Sequence, residues 1–182
     1  MSTIESHTVL PTGIWNADAV HSQIGFEIAY MGGTFRGTFS PFAATLEVGE
    51  DGHAHLEGAT QVAHVKVQDP NLEAHLQTPD FFDAERHPEL RFVSDDVVRE
   101  GDAVTIRGDL TIRDTTQTVE LAGSIQDGIV DAYGNERVRF TLEGGIDRLQ
   151  FGVSWNTPLP SGDPALAQDV VLTAELSLRK AQ

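Results

Sequence analysis

Cysteine is absent, which excludes disulfides, thiol catalysis and thiolate metal sites and leaves the redox compartment undetermined. Lysine occurs only at Lys66 and Lys180, and the 12 basic residues face 28 acidic ones, a net charge of −16 over 182 residues. So acidic a chain repels phosphate backbones, which argues against a nucleic-acid partner and against an anionic membrane surface held by charge alone. No uncharged apolar run approaches the ~18 residues that a spanning helix needs, so no transmembrane segment is expected. Residues 1–13, MSTIESHTVLPTG, have neither a basic n-region nor an apolar core of signal-peptide length. As it stands the chain reads as soluble and cytoplasmic; a chain trimmed of its leader would look the same and would fit a periplasmic or secreted protein. There is no Gly-x-Ser-x-Gly elbow, no His-Glu-x-x-His and no EF-hand loop. No metal and no cofactor is expected.

What the chain does have is turn chemistry, with 17 glycines and 8 prolines, and apolar residues at period 2. Ile24, Phe26, Ile28 and Tyr30 alternate with Gln23, Gly25, Glu27 and Ala29. The pattern recurs at Phe42-Ala44-Leu46-Val48, at Val104-Ile106 and Leu110-Ile112, at Val138-Phe140-Leu142 and at Val170-Leu172-Ala174-Leu176-Leu178. Such alternation marks strands with one apolar face. Gly32-Gly33, Asp51-Gly52, Gly101-Asp102, Gly134-Asn135 and Gly162-Asp163 separate them as turns. One interval departs from the pattern. Leu72 and Leu76 stand four apart behind Pro70, which predicts a short helical insert near residues 69–86, and a second helical turn fits Asp147–Phe151.

About eight short antiparallel strands with one apolar face each must sandwich or close into a barrel. Glycines within the strand patterns (Gly25, Gly37, Gly108, Gly123) favour the barrel, because bends and close backbone approach need them. The expected fold is therefore all-β, an eight-stranded antiparallel barrel forming one domain over residues 13–180, preceded by a flexible tail over 1–12. A barrel of that size has room for one small ligand.

Five segments stand in order along the chain. They are Trp15 with Asp18 and His21-Ser22-Gln23-Ile24-Gly25-Phe26; Arg36-Gly37-Thr38-Phe39; His75-Leu76-Gln77-Thr78-Pro79-Asp80-Phe81-Phe82-Asp83-Ala84 with His87-Pro88 and Phe92; Gly108-Asp109-Leu110-Thr111-Ile112-Arg113; and Phe151-Gly152-Val153-Ser154-Trp155-Asn156. Spanning residues 15–178, the set resembles the YceI-like family of lipocalin-like barrels associated with binding long polyisoprenoid chains. The resemblance implies a soluble bacterial protein, a homodimer, with an isoprenoid or other long-chain lipid as its partner. Leu72-Glu73 stand where the family usually has Arg-Asp, and Tyr30 where it has a strand-end His, so head-group preference is where the chain departs most.

The inward set together with the resemblance predicts an apolar tunnel running between the two barrel ends, walled by Phe26, Ile28, Phe39, Leu76, Phe81, Phe82, Phe92, Leu110, Phe140 and Trp155. Phe81, Phe82 and Trp155 suit a lipid cavity or a core plug equally, since both are large apolar surfaces. A polar rim is expected from His21, Arg36 and His75, with Arg36 the group suited to an anionic head. Two functions follow. The first is binding of a long apolar ligand, probed by chain length and not by head charge. The alternative is an enzyme, an isomerase or hydrolase acting on a lipid in the same cavity. That alternative needs a titratable pair inside the barrel, for which only His21, His75 and Asp18 are candidates; Ser22 beside His21 points to the opposite face of a strand.

Overall fold

Alternating faces place most of the apolar strand residues on the inside of one curved sheet. A computed structural model describes residues 9–182. Its strands are β1 (Gly13–Ala17), β2 (Gln23–Tyr30), β3 (Gly33–Phe39), β4 (Phe42–Val48), β5 (Ala54–Gln61), β6 (Val65–Lys66), β7 (Glu89–Glu100), β8 (Ala103–Ile112), β9 (Thr115–Val130), β10 (Glu136–Asp147) and β11 (Leu166–Lys180). The order is β1-β4-β5-β7-β8-β9-β10-β11-β2-β3-β6, with β1 also paired to β11. Eight strands, β1, β4, β5 and β7 to β11, thus form the expected antiparallel ring. The other three make a wing on β11.

The long last strand decides the shape. Its Leu178 to Lys180 pair with Ala17 to Trp15 of β1, whereas Val170 to Glu175 pair with Ile28 to Gln23 of β2. At one end the ring therefore closes directly through β1. Towards the other end β11 hands over to β2 and β3, and the extra strands enlarge the perimeter, which widens a barrel. The wide end is covered by helix α1 (Pro70–Leu76) and the turns that follow it. Asp69 starts α1 by accepting the Asn71 amide at 2.7 Å, with Pro70 in the first turn, where a missing amide hydrogen costs nothing. The second predicted turn is a 3₁₀ segment, Arg148–Phe151, capped by Asp147.

The narrow end is packed solid. Trp15, Leu46, Ile106, Ile125, Val138, Phe140 and Leu178 are fully or almost fully buried there in one cluster. Of the expected tail, residues 1–8 lie outside the described residues. The remainder is docked, not loose: Leu10 is buried in the same cluster, and the carbonyls of Val9 and Pro11 accept hydrogen bonds from Arg99 Nη1 and Trp15 Nε1, both at 3.1 Å.

Outside this plug the turn after β1 is tied to the β9–β10 turn by Arg137, which donates to Asp18 at 3.0 Å and to Asp131 at 2.7 Å. Hydrogen bonding from His21 and Arg137 holds the Asp18 carboxyl down to about 2, against the opposing effect of partial burial. Arg137 and the Asn135 amide lower Asp131 as well. Both carboxyls are depressed in the folded state, so their contribution is present above the unfolded value near pH 4 and is lost as the pH falls through the folded value. We expect the melting temperature to drop steeply between about pH 4 and pH 2, and Arg137→Gln to flatten that limb. An unchanged acid profile in the variant would show that other carboxylates govern it.

Candidate functional site

Above the plug the barrel encloses a cavity of about 490 Å³. Nine of the ten expected wall residues line it: Phe26, Ile28, Phe39, Leu76, Phe81, Phe82, Phe92, Leu110 and Trp155. Phe140 does not. It lies in the packed cluster with no exposed surface, and with it the expectation of a tunnel through both ends is overturned. The cavity is blind, because the ring closed by β1 is narrow enough for side chains from opposite walls to meet.

Its walls are made of rings laid flat. Phe26 stands opposite Gly37 across β2 and β3, and a Cβ on Gly37 would come within 2.6 Å of that ring. A Cβ on Gly108 would similarly come within 2.7 Å of the Phe92 ring. In both places a missing side chain lets an aromatic ring lie against the backbone and leave the lumen open. Phe26 continues into Phe35 and Phe39 at ring separations of 6.1 and 6.0 Å, and Phe39 meets Phe82 edge-on at 6.0 Å.

The mouth is built from α1, the turns after it and the segment after the 3₁₀ turn. His75 lines the cavity with its side chain one-third exposed, bonded to Asp80 at 2.9 Å and set edge-on to Phe81 (5.0 Å) and Trp155 (5.3 Å). Leu72 lines the cavity from the same helix.

Two arginines fasten these pieces. Arg113, in the β8–β9 turn, donates to the carbonyls of Pro79, Phe81 and Gly152 at 2.9–3.0 Å. Arg148 is buried, 4% exposed, and donates to the carbonyls of Ala167 (2.7 Å), Val153 (2.7 Å), Trp155 (2.9 Å) and Leu166 (3.5 Å). Burial pushes its pKa down, partly offset by the neighbouring Asp147. Neither role was readable from the sequence: an arginine in a turn looks like a solvated charge, and nothing in its spacing marks backbone carbonyls as partners. Leu90, Ile112 and Val170, also on the wall, carried a signal in their strand alternation. Phe151 and Val153, which join them there, sit outside any regular strand.

The other two rim residues stand elsewhere. Arg36 faces outward, paired with Glu27 across the β2–β3 ladder at 3.0 Å and 66% exposed; strand alternation turns it away from the cavity that Phe35 and Phe39 of the same strand line. His21 lies beyond the plug, bonded to Asp18 at 2.8 Å. Of the three candidates for a titratable pair inside the barrel, His21 and Asp18 are brought together but do not line the cavity, and His75 alone does. Ser22 Oγ is engaged with the Ser177 backbone.

Among the described residues no helix is long and apolar enough to cross a membrane. The cavity is instead suited to sequestering an apolar chain, with a single imidazole–carboxylate pair where the chain would end.

The comparisons with known proteins agree with this geometry. A UPF0312 protein of Photorhabdus laumondii is 29% identical over 134 residues, 72% of this chain and 70% of the relative. The crystal structure of Burkholderia cenocepacia BcnA is similar with a TM-score of 0.76 at 21% identity, covering 88% of this chain and 98% of that one. A polyisoprenoid binding domain from Saccharophagus degradans, implicated in plant cell wall breakdown, shares the fold with a TM-score of 0.67 at 9% identity, over 92% of this chain and 98% of that domain. The model of the YceI-like domain matches residues 15–178, the same stretch over which strands, cavity and mouth have been described, and the chain belongs to the YceI-like family.

Proposed function

We propose that the protein binds a long apolar ligand, a polyisoprenoid or similar lipid, in the wide half of the barrel and serves as a carrier, store or sequestering protein. The observation that carries this reading is the blind cavity itself, about 490 Å³ and walled by flat-lying aromatic and aliphatic side chains. Ligand pockets have volumes of roughly 300–1,000 Å³. Each buried methylene contributes about 0.8 kcal/mol, so ten buried carbons supply roughly the 8 kcal/mol of micromolar affinity before ordering costs. The Saccharophagus domain, described as polyisoprenoid binding, supports the ligand class. From the family resemblance we extend the proposal to a homodimer that carries out no chemistry on its ligand.

The arrangement also bears on the head group. Arg36 is on the outer face, Leu72 occupies the helix position where a base would stand, and Asp80 is at the mouth. The guanidiniums of Arg113 and Arg148 are committed to carbonyls. A neutral head is therefore expected to bind at least as well as an anionic one. Organic extraction of the purified protein followed by mass spectrometry should return a lipid with an isoprenoid or other long hydrocarbon chain. Titration with farnesol and farnesyl phosphate should show the alcohol equal or tighter. Absence of lipid in the extract together with no binding of either compound would overturn the reading, and recovery of a chemically altered ligand would restore the enzymatic one.

A further inference from the structure

We propose that the packed half of the barrel is a ruler, admitting about three to five prenyl units of an apolar chain and no more. This rests on the binding reading above and adds to it the size of the ligand. The boundary is sharp along adjacent strands. On β11 the inward residues from Leu166 to Leu176 face the cavity, and Leu178, two residues further, is fully buried in the plug. On β10 the change falls between Leu142, which faces the cavity, and Phe140, which does not. Leu142 stands opposite Ala174 and Phe140 opposite Leu176, so the floor crosses the β10–β11 ladder obliquely, reaching two residues deeper on β11 than on β10. Leu142 and Leu176 belong both to the wall and to the core cluster; they are the floor.

Depth and volume converge on the same limit. The cavity-facing stretch runs over seven residues on β2, Ile24 to Tyr30, and eleven on β11, Leu166 to Leu176, which are six and ten residue steps. At a rise of about 3.3 Å per residue and a tilt of about 40°, that corresponds to roughly 15–25 Å along the barrel axis. A polypeptide extends about 1.2 Å per backbone bond, so a prenyl unit with four such bonds spans about 5 Å. Three to five units reach the floor. If a carbon fills roughly the 30 Å³ that a water occupies in the liquid, one five-carbon unit takes about 150 Å³, and the cavity of about 490 Å³ holds about three. Further units must remain outside, where they bury nothing.

The test is competition of prenyl alcohols of roughly two to eight units, delivered from cyclodextrin, against a fluorescent long-chain probe. For the wild-type protein the affinity should rise at least about tenfold per unit up to three or four units, and change less than about twofold per unit beyond. Ala174→Leu, which adds bulk just above the floor, should move the break to a chain about one unit shorter. Phe140→Ala, which removes a large side chain beneath the floor, should move it about one unit longer if the variant folds; if it does not, the wild-type series and Ala174→Leu decide. Affinity that keeps climbing through the longest alcohols, or a break that stays put in Ala174→Leu, would overturn the ruler while leaving the binding reading intact. Failure of every alcohol to compete would overturn the binding reading and the ruler with it.

Discussion

Replacing Arg148 with alanine is expected to destabilise the protein by about 3–5 kcal/mol, a fall of about 10 °C in melting temperature for a domain of this size. The side chain is 4% exposed and its partners are four backbone carbonyls in two segments, Val153 to Trp155 and Leu166 to Ala167. The Leu166 carbonyl keeps its bond from Asn156 at 2.8 Å, but the other carbonyls remain without this donor, and each buried acceptor left unpaired costs about 1–3 kcal/mol. Arg148→Lys should rescue little, because one ammonium cannot reach carbonyls spread along a planar fork. Thermal melting followed by circular dichroism measures both variants. A loss below about 1 kcal/mol in the alanine variant would mean that water enters and takes over the carbonyls. The functional consequence follows from position: the same bonds hold Trp155 and Leu166 on the cavity wall, so ligand affinity should fall with stability.

Phe26→Arg is expected to abolish ligand uptake, with a loss of at least about hundredfold in affinity. The Phe26 ring lies over Gly37 and against Phe35 and Phe39 in the wall. A guanidinium there has no carboxylate on the lining to pair with, and a charge taken from water without a partner costs several kcal/mol. Holding an apolar chain beside it requires that desolvation, whereas the empty cavity can admit water around the charge. Arg36→Ala is the control. It removes a charge from the outer face of the neighbouring strand, paired there with Glu27, and should leave affinity within about twofold, since exposed pairs contribute little. Titration with farnesol at a temperature well below both melting points separates binding from folding. Equal affinity in Phe26→Arg and wild type would show that the ligand does not enter this cavity.

Most of the architecture is legible in the sequence. Period-2 alternation assigned Phe26, Ile28, Leu110 and the β11 residues to inward faces because a strand has only two faces, and the turn dipeptides marked where strands reverse. The helix at Pro70–Leu76 was legible from Asp69, Pro70 and the Leu72–Leu76 spacing, all of which act within a few residues. His75 at the mouth, by contrast, came from the family resemblance, and the lumen it borders was expected to run through both barrel ends.

Alternation determines which way a residue points but not at what height in the barrel it sits. Phe140 and Leu142 have the same polarity and the same face, yet one is plug and the other floor. That distinction is made far away in sequence, where β11 pairs with β1 below and with β2 above, so the perimeter is narrow at one end and wide at the other. Arg148 shows the same limit from the polar side: its charge could be read, but its partners on β11, 18 and 19 residues away along the chain, become neighbours only when that strand folds back onto the barrel. By itself the sequence determined the faces, the turns and the family, because these depend on local chemistry. Which inward residues meet open space, and which arginines are buried, was decided by the closure of the sheet, because non-local pairing alone sets the distance between opposite walls.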